Sequence, residues 1–180
     1  MKSLMMMAAS AAVLALPIVA HADGASTFSP VTIYGQLGYE DTHVEGANLG
    51  AIQGRLGARF GSYVGAEGEL SGGVKGDTVN AGGTPVDVHL RHQEALYGVG
   101  FLPVTPHFDL FGRVGYGHAS LKADAPGVTV TGGQDSWNYG GGGQYFFDDK
   151  NGVRADYTRH EFVHGPENED VWAIGYVRKF

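Results

Sequence analysis

Charged side chains recur at alternate positions along this 180-residue sequence, most of them flanked by apolar or small neighbours. Arg55, Arg59, Glu67, Glu69, Glu94, Arg113, Arg154 and Asp156 share that placement. Such residues can neutralise one another or act as acids and bases. Glu67 with Glu69, or Glu94 with His92, has the residue types for general acid–base chemistry. Neither pair has a nucleophile beside it, because Ser71, Ser120 and Ser136 lack the Gly-x-Ser-x-Gly context of a nucleophile elbow. A mechanism needs nucleophile, base and orienting group together, so no catalytic residue is assigned and no enzyme is expected. Gly140 to Gly143 has the composition of a phosphate cradle, but it continues an alternating segment between Trp137 and Tyr145 and opens no helix. Glycines there let neighbouring aromatic rings lie over the backbone.

The elements that position the charges are strands, read from period-two alternation. Val31, Ile33, Leu37 and Tyr39 oppose Thr32, Tyr34, Gln36 and Glu40. Leu56, Ala58 and Phe60 oppose Arg55 and Arg59, and Val64, Ala66 and Leu70 oppose Glu67 and Glu69. From His89 to Leu102, the apolar face is read as Ala95, Tyr97, Val99 and Phe101, with His92 and Glu94 behind it. Three further segments set Phe108, Leu110, Val114 and Tyr116 against Asp109 and Arg113; Trp137, Tyr139, Tyr145 and Phe147 against Asn138 and Gln144; and Val153, Ala155 and Tyr157 against Arg154, Asp156, Thr158 and His160. The last sets Trp172, Ile174, Tyr176 and Phe180 against Ala173, Gly175 and Lys179. Eight strands result. Gly61 to Tyr63, Pro103 to His107 and Asp148 to Asn151 read as tight turns. Asp41 to Asn48, Ser71 to Asp87, Ala119 to Gly133 and Val163 to Glu169 read as long polar loops. Thr78-Val79 and Val86 to Val88 leave a count of ten strands open.

An even strand number with short turns at one end and long connections at the other is the pattern of an eight-stranded antiparallel up-and-down transmembrane β-barrel, an all-β fold. Threading the strands puts Phe60, Phe101, Phe108, Phe147 and Phe180 at the short-turn end, and Tyr39, Tyr116, Trp137 and Trp172 at the other. These are two aromatic belts of the kind that membrane interfaces select. The charges then face a lumen just wide enough for side chains, where Glu67 and Glu69 lie on the strand next to Arg55 and Arg59 and pair with them. His43, His89, His92, His118, His160 and His164 map to the outer ends and loops, and His107 to a turn at the opposite end. Imidazoles bind transition metals, but no ligand spacing is present, so no metal and no cofactor is expected.

The chain opens with Met1-Lys2, an almost wholly apolar run from Leu4 to Ala20, and Ala20-His21-Ala22, the pattern of a cleaved signal peptide. Pro17 and the shortness of the run argue against an anchor helix, which needs about 20 apolar residues. The expected organisation is a leader over residues 1–22 and a barrel over 23–180. The net charge of −7 excludes nucleic acid, which demands a basic footprint. With no cysteine, there is no disulfide framework.

The leader, the eight alternating strands and the closing segment from Trp172 to Phe180 resemble the small bacterial outer-membrane barrels of the OmpA/OmpX type, over essentially the whole mature chain. The resemblance implies that a C-terminal Phe preceded by alternating apolar residues is the signal read by the barrel-assembly machinery. Trp172, Ile174, Tyr176 and Phe180 match it, while Arg178 stands where the family has an apolar residue. It also implies export to the outer membrane, contact with lipid and lipopolysaccharide, and a monomer; the cell-wall anchoring role of larger relatives is not expected to carry over, since no peptidoglycan-binding domain is expected after Phe180. The resulting expectation is a structural or surface-interaction protein, serving envelope integrity or adhesion, with its lumen plugged by paired charges. Lys75, Arg91 and Lys122 are placed to meet lipopolysaccharide phosphates. A narrow channel for small solutes and a soluble periplasmic lipocalin-like binder of apolar ligands are the alternatives.

Overall fold

Side chains of opposite polarity at successive positions cannot share one environment, so the chain extends and sends them to opposite faces of a sheet. The computed structural model describes residues 30–44, 47–81, 84–125, 128–163 and 168–180. The expected leader lies outside the described residues, as does His164. The strands are β1 (Val31–Val44), β2 (Ala47–Phe60), β3 (Val64–Lys75), β4 (Asp77–Ala81), β5 (Thr84–Thr105), β6 (Phe108–Ala125), β7 (Val128–Phe146), β8 (Asn151–Phe162) and β9 (Asn168–Lys179).

Apart from β3 and β4, sequential strands pair antiparallel, and β1 pairs with β9, with Leu37 opposite Tyr176 and Tyr39 opposite Ile174. The sheet thereby closes on itself, as lipid demands of any spanning sheet, because hydrocarbon cannot satisfy an open edge. Both β3 and β4 pair with β5, β4 prolonging the hairpin beyond Gly76. The barrel therefore has eight staves, one of them interrupted. At the turn between β2 and β3, Gly61 adopts a left-handed φ of 68°, open to glycine without the Cβ penalty, and its N–H bonds to the Pro30 carbonyl at 3.1 Å.

Much of what reads as long polar loop is strand. β1 continues to Val44 and β2 begins at Ala47; β6 continues to Ala125 and β7 begins at Val128. Most of Ser71 to Asp87 belongs to β3, β4 and β5. The physical reason is that beyond the membrane both faces of a hairpin meet water. Alternation disappears there while cross-strand hydrogen bonding continues.

The facing of β5 is the reverse of the sequence reading. Phe101 is only 5% exposed, and Ala95, Tyr97 and Val99 are buried with it, whereas Leu96 is 68% exposed and Leu102 58%. Glu94 is exposed on the outside, in register with the outward Leu70 and with His118. His92 is exposed as well. The cause is that the inner wall of this barrel carries its own apolar layer. Tyr34, Phe101, Phe111, Phe146 and Val177 pack together inside, and Phe101 meets Tyr34 edge-on at 6.2 Å between centroids. The outer wall of β5 is left with Leu96, Gly98, Gly100 and Leu102, a face with too little apolar mass to identify itself.

Candidate functional site

The lumen holds the chemistry. At mid-height, three guanidinium groups meet three carboxylates, all buried. Arg55 on β2 grips Asp156 on β8 with two bonds, from Nη1 to Oδ2 at 2.6 Å and from Nη2 to Oδ1 at 2.8 Å. Its Nε donates to Glu69 Oε2 at 2.7 Å. Arg113 on β6 donates to that same Glu69 oxygen at 2.7 Å and lies 3.3 Å from Asp156 Oδ1. Arg154 on β8 holds both oxygens of Glu67, at 2.5 and 3.1 Å. These are charge-assisted, partly bidentate bonds, the strongest class available to side chains. Burial makes them obligatory, since an unpaired charge there would be strongly unfavourable.

Tyrosines extend the lattice. Tyr34 OH donates to Glu67 Oε1 at 2.6 Å and Tyr97 OH to Glu69 Oε1 at 3.2 Å. The Tyr34 ring lies so close to Gly57 that a Cβ there would come within 2.3 Å of Cζ, so only glycine fits beneath it. Arginines also cap the aromatic layer below. The guanidinium carbon of Arg154 sits 3.7 Å from the Phe111 centroid, that of Arg113 4.2 Å from Tyr97, and that of Arg59 4.4 Å from Phe101, within cation–π range. Nearer the short turns, Arg59 Nη1 and Gln144 Nε2 both bond Asp109 Oδ2 at 2.8 Å.

Seven of the eight residues expected inside are there: Arg55, Arg59, Glu67, Glu69, Arg113, Arg154 and Asp156. Glu94 is not, because the facing of β5 is reversed. Sequence reasoning left out Asp109, Tyr34, Gln36 and Glu40 as partners, although parity already put them on the inner face. Tyr97 was misassigned with its strand. Of the aromatic set, Phe101 belongs to the lumen. Tyr39, Phe60, Tyr116, Trp137, Phe147 and Trp172 stand outside and exposed, with Phe108 half-exposed. Trp172, Ile174, Tyr176 and Phe180 all project outward from the closing segment, as does Arg178.

The histidines separate. His160 is buried beside Glu169, with Nδ1 3.1 Å from Oε2, while His118 lies on the outer wall with Nδ1 2.8 Å from Asp135. Among the described residues, no group of three or more His, Cys, Asp or Glu side chains is placed to hold a metal ion. In the β7–β8 turn, Asp148 caps the backbone of Lys150 and Asn151. The Asn151 side chain and those N–H groups hold its carboxyl below the ordinary aspartate range. Asp77, at the start of β4, is likewise lowered by the N–H groups of Asn48 and Thr78.

The model of the outer membrane protein beta-barrel domain family matches residues 3–180, essentially the whole chain. The chain belongs to that family. Its place is the outer membrane, and the alternative of a soluble periplasmic binder falls with that membership. Solved barrels of low identity share the fold. The attachment invasion locus protein Ail of Yersinia pestis is 16% identical, with a TM-score of 0.64 over 83% of this chain and 99% of that one. The N-terminal barrel of Pseudomonas aeruginosa OprF is 13% identical, with a TM-score of 0.63 over 85% and 99%. OprG of the same organism is 12% identical, with a TM-score of 0.59 over 85% and 97%. No match was found among curated protein sequences.

Proposed function

We propose that this barrel is a non-conducting structural and surface protein of the outer membrane, non-enzymatic, acting in envelope integrity or adhesion. The observation that carries this reading is the arginine–carboxylate lattice. Arg55, Arg113 and Arg154 meet Glu67, Glu69 and Asp156 from four different strands across the bore. A solute would have to break several buried ion pairs at once, and each broken pair leaves an uncompensated charge. Planar-bilayer recording of the purified protein tests it. Silence at moderate voltage is expected, and a steady open conductance in the wild type would replace the reading with the narrow channel.

The hairpins above the membrane favour a partner with basic groups. Asp87 and Glu161 are exposed there, and Asp77, Asp135 and Asp170 are half-exposed. The Ail structure holds the heparin analogue sucrose octasulfate. The carboxylates of the present chain oppose such a polyanion and favour salt-sensitive retention on a polylysine surface over retention on heparin. Exposed Lys75 and Arg91 are suited to lipopolysaccharide phosphates at the rim, and the two outward aromatic groups to the membrane interfaces. Residues 1–22 are proposed as the cleaved leader, and the chain as a monomer. Trp172, Ile174, Tyr176 and Phe180 are proposed as the segment read by the assembly machinery. Removing Phe180 should then slow insertion in cells while leaving refolding in detergent intact.

A further inference from the structure

The outer wall of β2, β3 and β5 is hollow where a lipid-facing surface would carry side chains. A groove of about 720 Å³ runs between exposed Leu56, Leu70 and Leu96, with Gly54 and Gly68 on its floor. A second hollow of about 630 Å³ lies over Gly98, Gly100 and Gly112. The register joins the two. Gly68 faces Leu96, and the next outward pairs toward the short turns are Ala66 with Gly98 and Val64 with Gly100. Packing within the barrel does not demand these glycines. A Cβ at Gly54 or Gly100 would meet nothing within 4 Å, and one at Gly68 or Gly98 would meet its first atom at 3.7 or 3.9 Å. Glycine weakens a strand interior, and close approach of a ligand is a recurrent reason for it.

Glu94 stands at the upper end of this groove. The hydrogen-bonded row that starts at Phe108, beside the short β5–β6 turn, circles the barrel through Leu37, Gly54 and Leu70 to Glu94 and regains β6 at His118. The row climbs as it goes, so Gly54 and Leu70 lie deeper in the membrane than Glu94. Tyr116 and Trp137 of the outer aromatic group occupy the next row down. Among the described residues, Glu94 makes no hydrogen bond and no ion pair. His118, directly opposite, is turned away from it. The His118 Nδ1 lies 2.8 Å from Asp135, and its Nε2 lies over Gly133, both on β7. A carboxylate on the lipid-facing wall is thus left without a counter-charge, an arrangement that favours a cationic partner.

We propose that the groove seats one aminophospholipid, with its primary ammonium on Glu94 and an acyl chain along Gly68, Gly98 and Gly100. The leucine walls and glycine floor accept an alkyl chain and offer it no polar side chain. The carboxylate accepts charge-assisted hydrogen bonds from an ammonium. A quaternary amine brings the charge without the N–H, and a phosphoglycerol head brings only like charge.

The test is native mass spectrometry of the full barrel, released from detergent containing phosphatidylethanolamine, phosphatidylcholine or phosphatidylglycerol with identical chains. One phosphatidylethanolamine is expected to stay bound, about tenfold more tightly than phosphatidylglycerol, the factor that one charge-assisted hydrogen bond supplies. Phosphatidylcholine should fall between them. Glu94→Gln should erase that order, with folding checked by heat-modified gel mobility. Gly98→Leu fills the groove from a position with open space above it, and should lower retention of all three lipids alike. Equal retention of the three lipids by the wild type, or an unchanged order in Glu94→Gln, would overturn the ammonium seat. Unchanged retention in Gly98→Leu would overturn the path of the acyl chain. A wild-type dimer that is lost in Gly98→Leu would give the groove to a second copy of this chain and overturn the lipid.

Discussion

Arg154→Met removes a guanidinium that holds both oxygens of Glu67 and leaves the rest of the bore in place. Breaking a buried ion pair by removing one partner costs about 3–5 kcal/mol, because the remaining charge is stranded. Two neighbours moderate that cost here. Tyr34 still donates to Glu67, and Arg113 Nη1 stands 3.9 Å from Glu67 Oε2. Methionine also keeps contact with the Phe111 ring while losing the cation–π contribution. The lower half of the range follows, about 3–4 kcal/mol, which is a roughly 10²–10³-fold shift in the unfolding constant. Arg154→Met with Glu67→Gln strands no charge and keeps an acceptor for Tyr34, so the double variant should recover most of that loss. Reversible urea unfolding in detergent, run as a double-mutant cycle on wild type, both singles and the double, measures the coupling. A single-variant loss under about 1 kcal/mol, typical of solvent-exposed pairs, with no recovery in the double, would mean that the lattice is hydrated. The reasoning that it closes the bore would then fail.

Three other perturbations separate the inner wall from the outer. Phe101→Ala should cost about 3–5 kcal/mol, the range for emptying an aromatic site in a packed core, whereas a ring facing lipid would leave no cavity; unfolding midpoints in urea distinguish the two. Glu94→Leu should change stability by no more than about 1 kcal/mol, as for outer-wall charges near an interface, while Glu69→Leu strands Arg55 and Arg113 and should prevent stable folding; heat-modified gel mobility of the two variants side by side is the readout. Asp148 has its folded-state pKa below the unfolded value. The contribution of its turn cap is therefore complete above the ordinary aspartate value of about 3.9 and is lost as pH falls through the lower folded value; amide exchange at Asn151 followed down to that range should show the turn opening, and Asp148→Ala should exchange quickly at every pH.

The closed sheet was legible because the alternation of eight segments leaves few ways to place their apolar faces once the charges must avoid lipid. Arg55, Glu67, Glu69, Arg113, Arg154 and Asp156 sit in strands whose other face carries Leu56, Leu70, Val114 or Val153, and there the two environments separate cleanly. On β5 the rule fails for a definable reason. Phe101, Val99, Tyr97 and Ala95 are more apolar than Leu102, Gly100, Gly98 and Leu96, so hydrophobicity alone assigns the wrong wall. A lumen lined partly by rings is as apolar as a lipid-facing surface, and parity carries no sign of its own. The sign comes from the neighbours. In the β3–β5 register Glu69 lies opposite Ala95 and Glu67 opposite Tyr97, and residues directly opposite in a sheet share a face. Once Glu67 and Glu69 are fixed inside by their arginines, Ala95 and Tyr97 must follow them, and Glu94 must turn outward. Facing in a small barrel is therefore inherited across the hydrogen-bond register from the strands where charge makes it unambiguous. The long-range choice of which arginine serves which carboxylate, Arg55 to Asp156 or Arg154 to Glu67, depends on the bore bringing non-neighbouring strands together, and no spacing along a single chain encodes it directly.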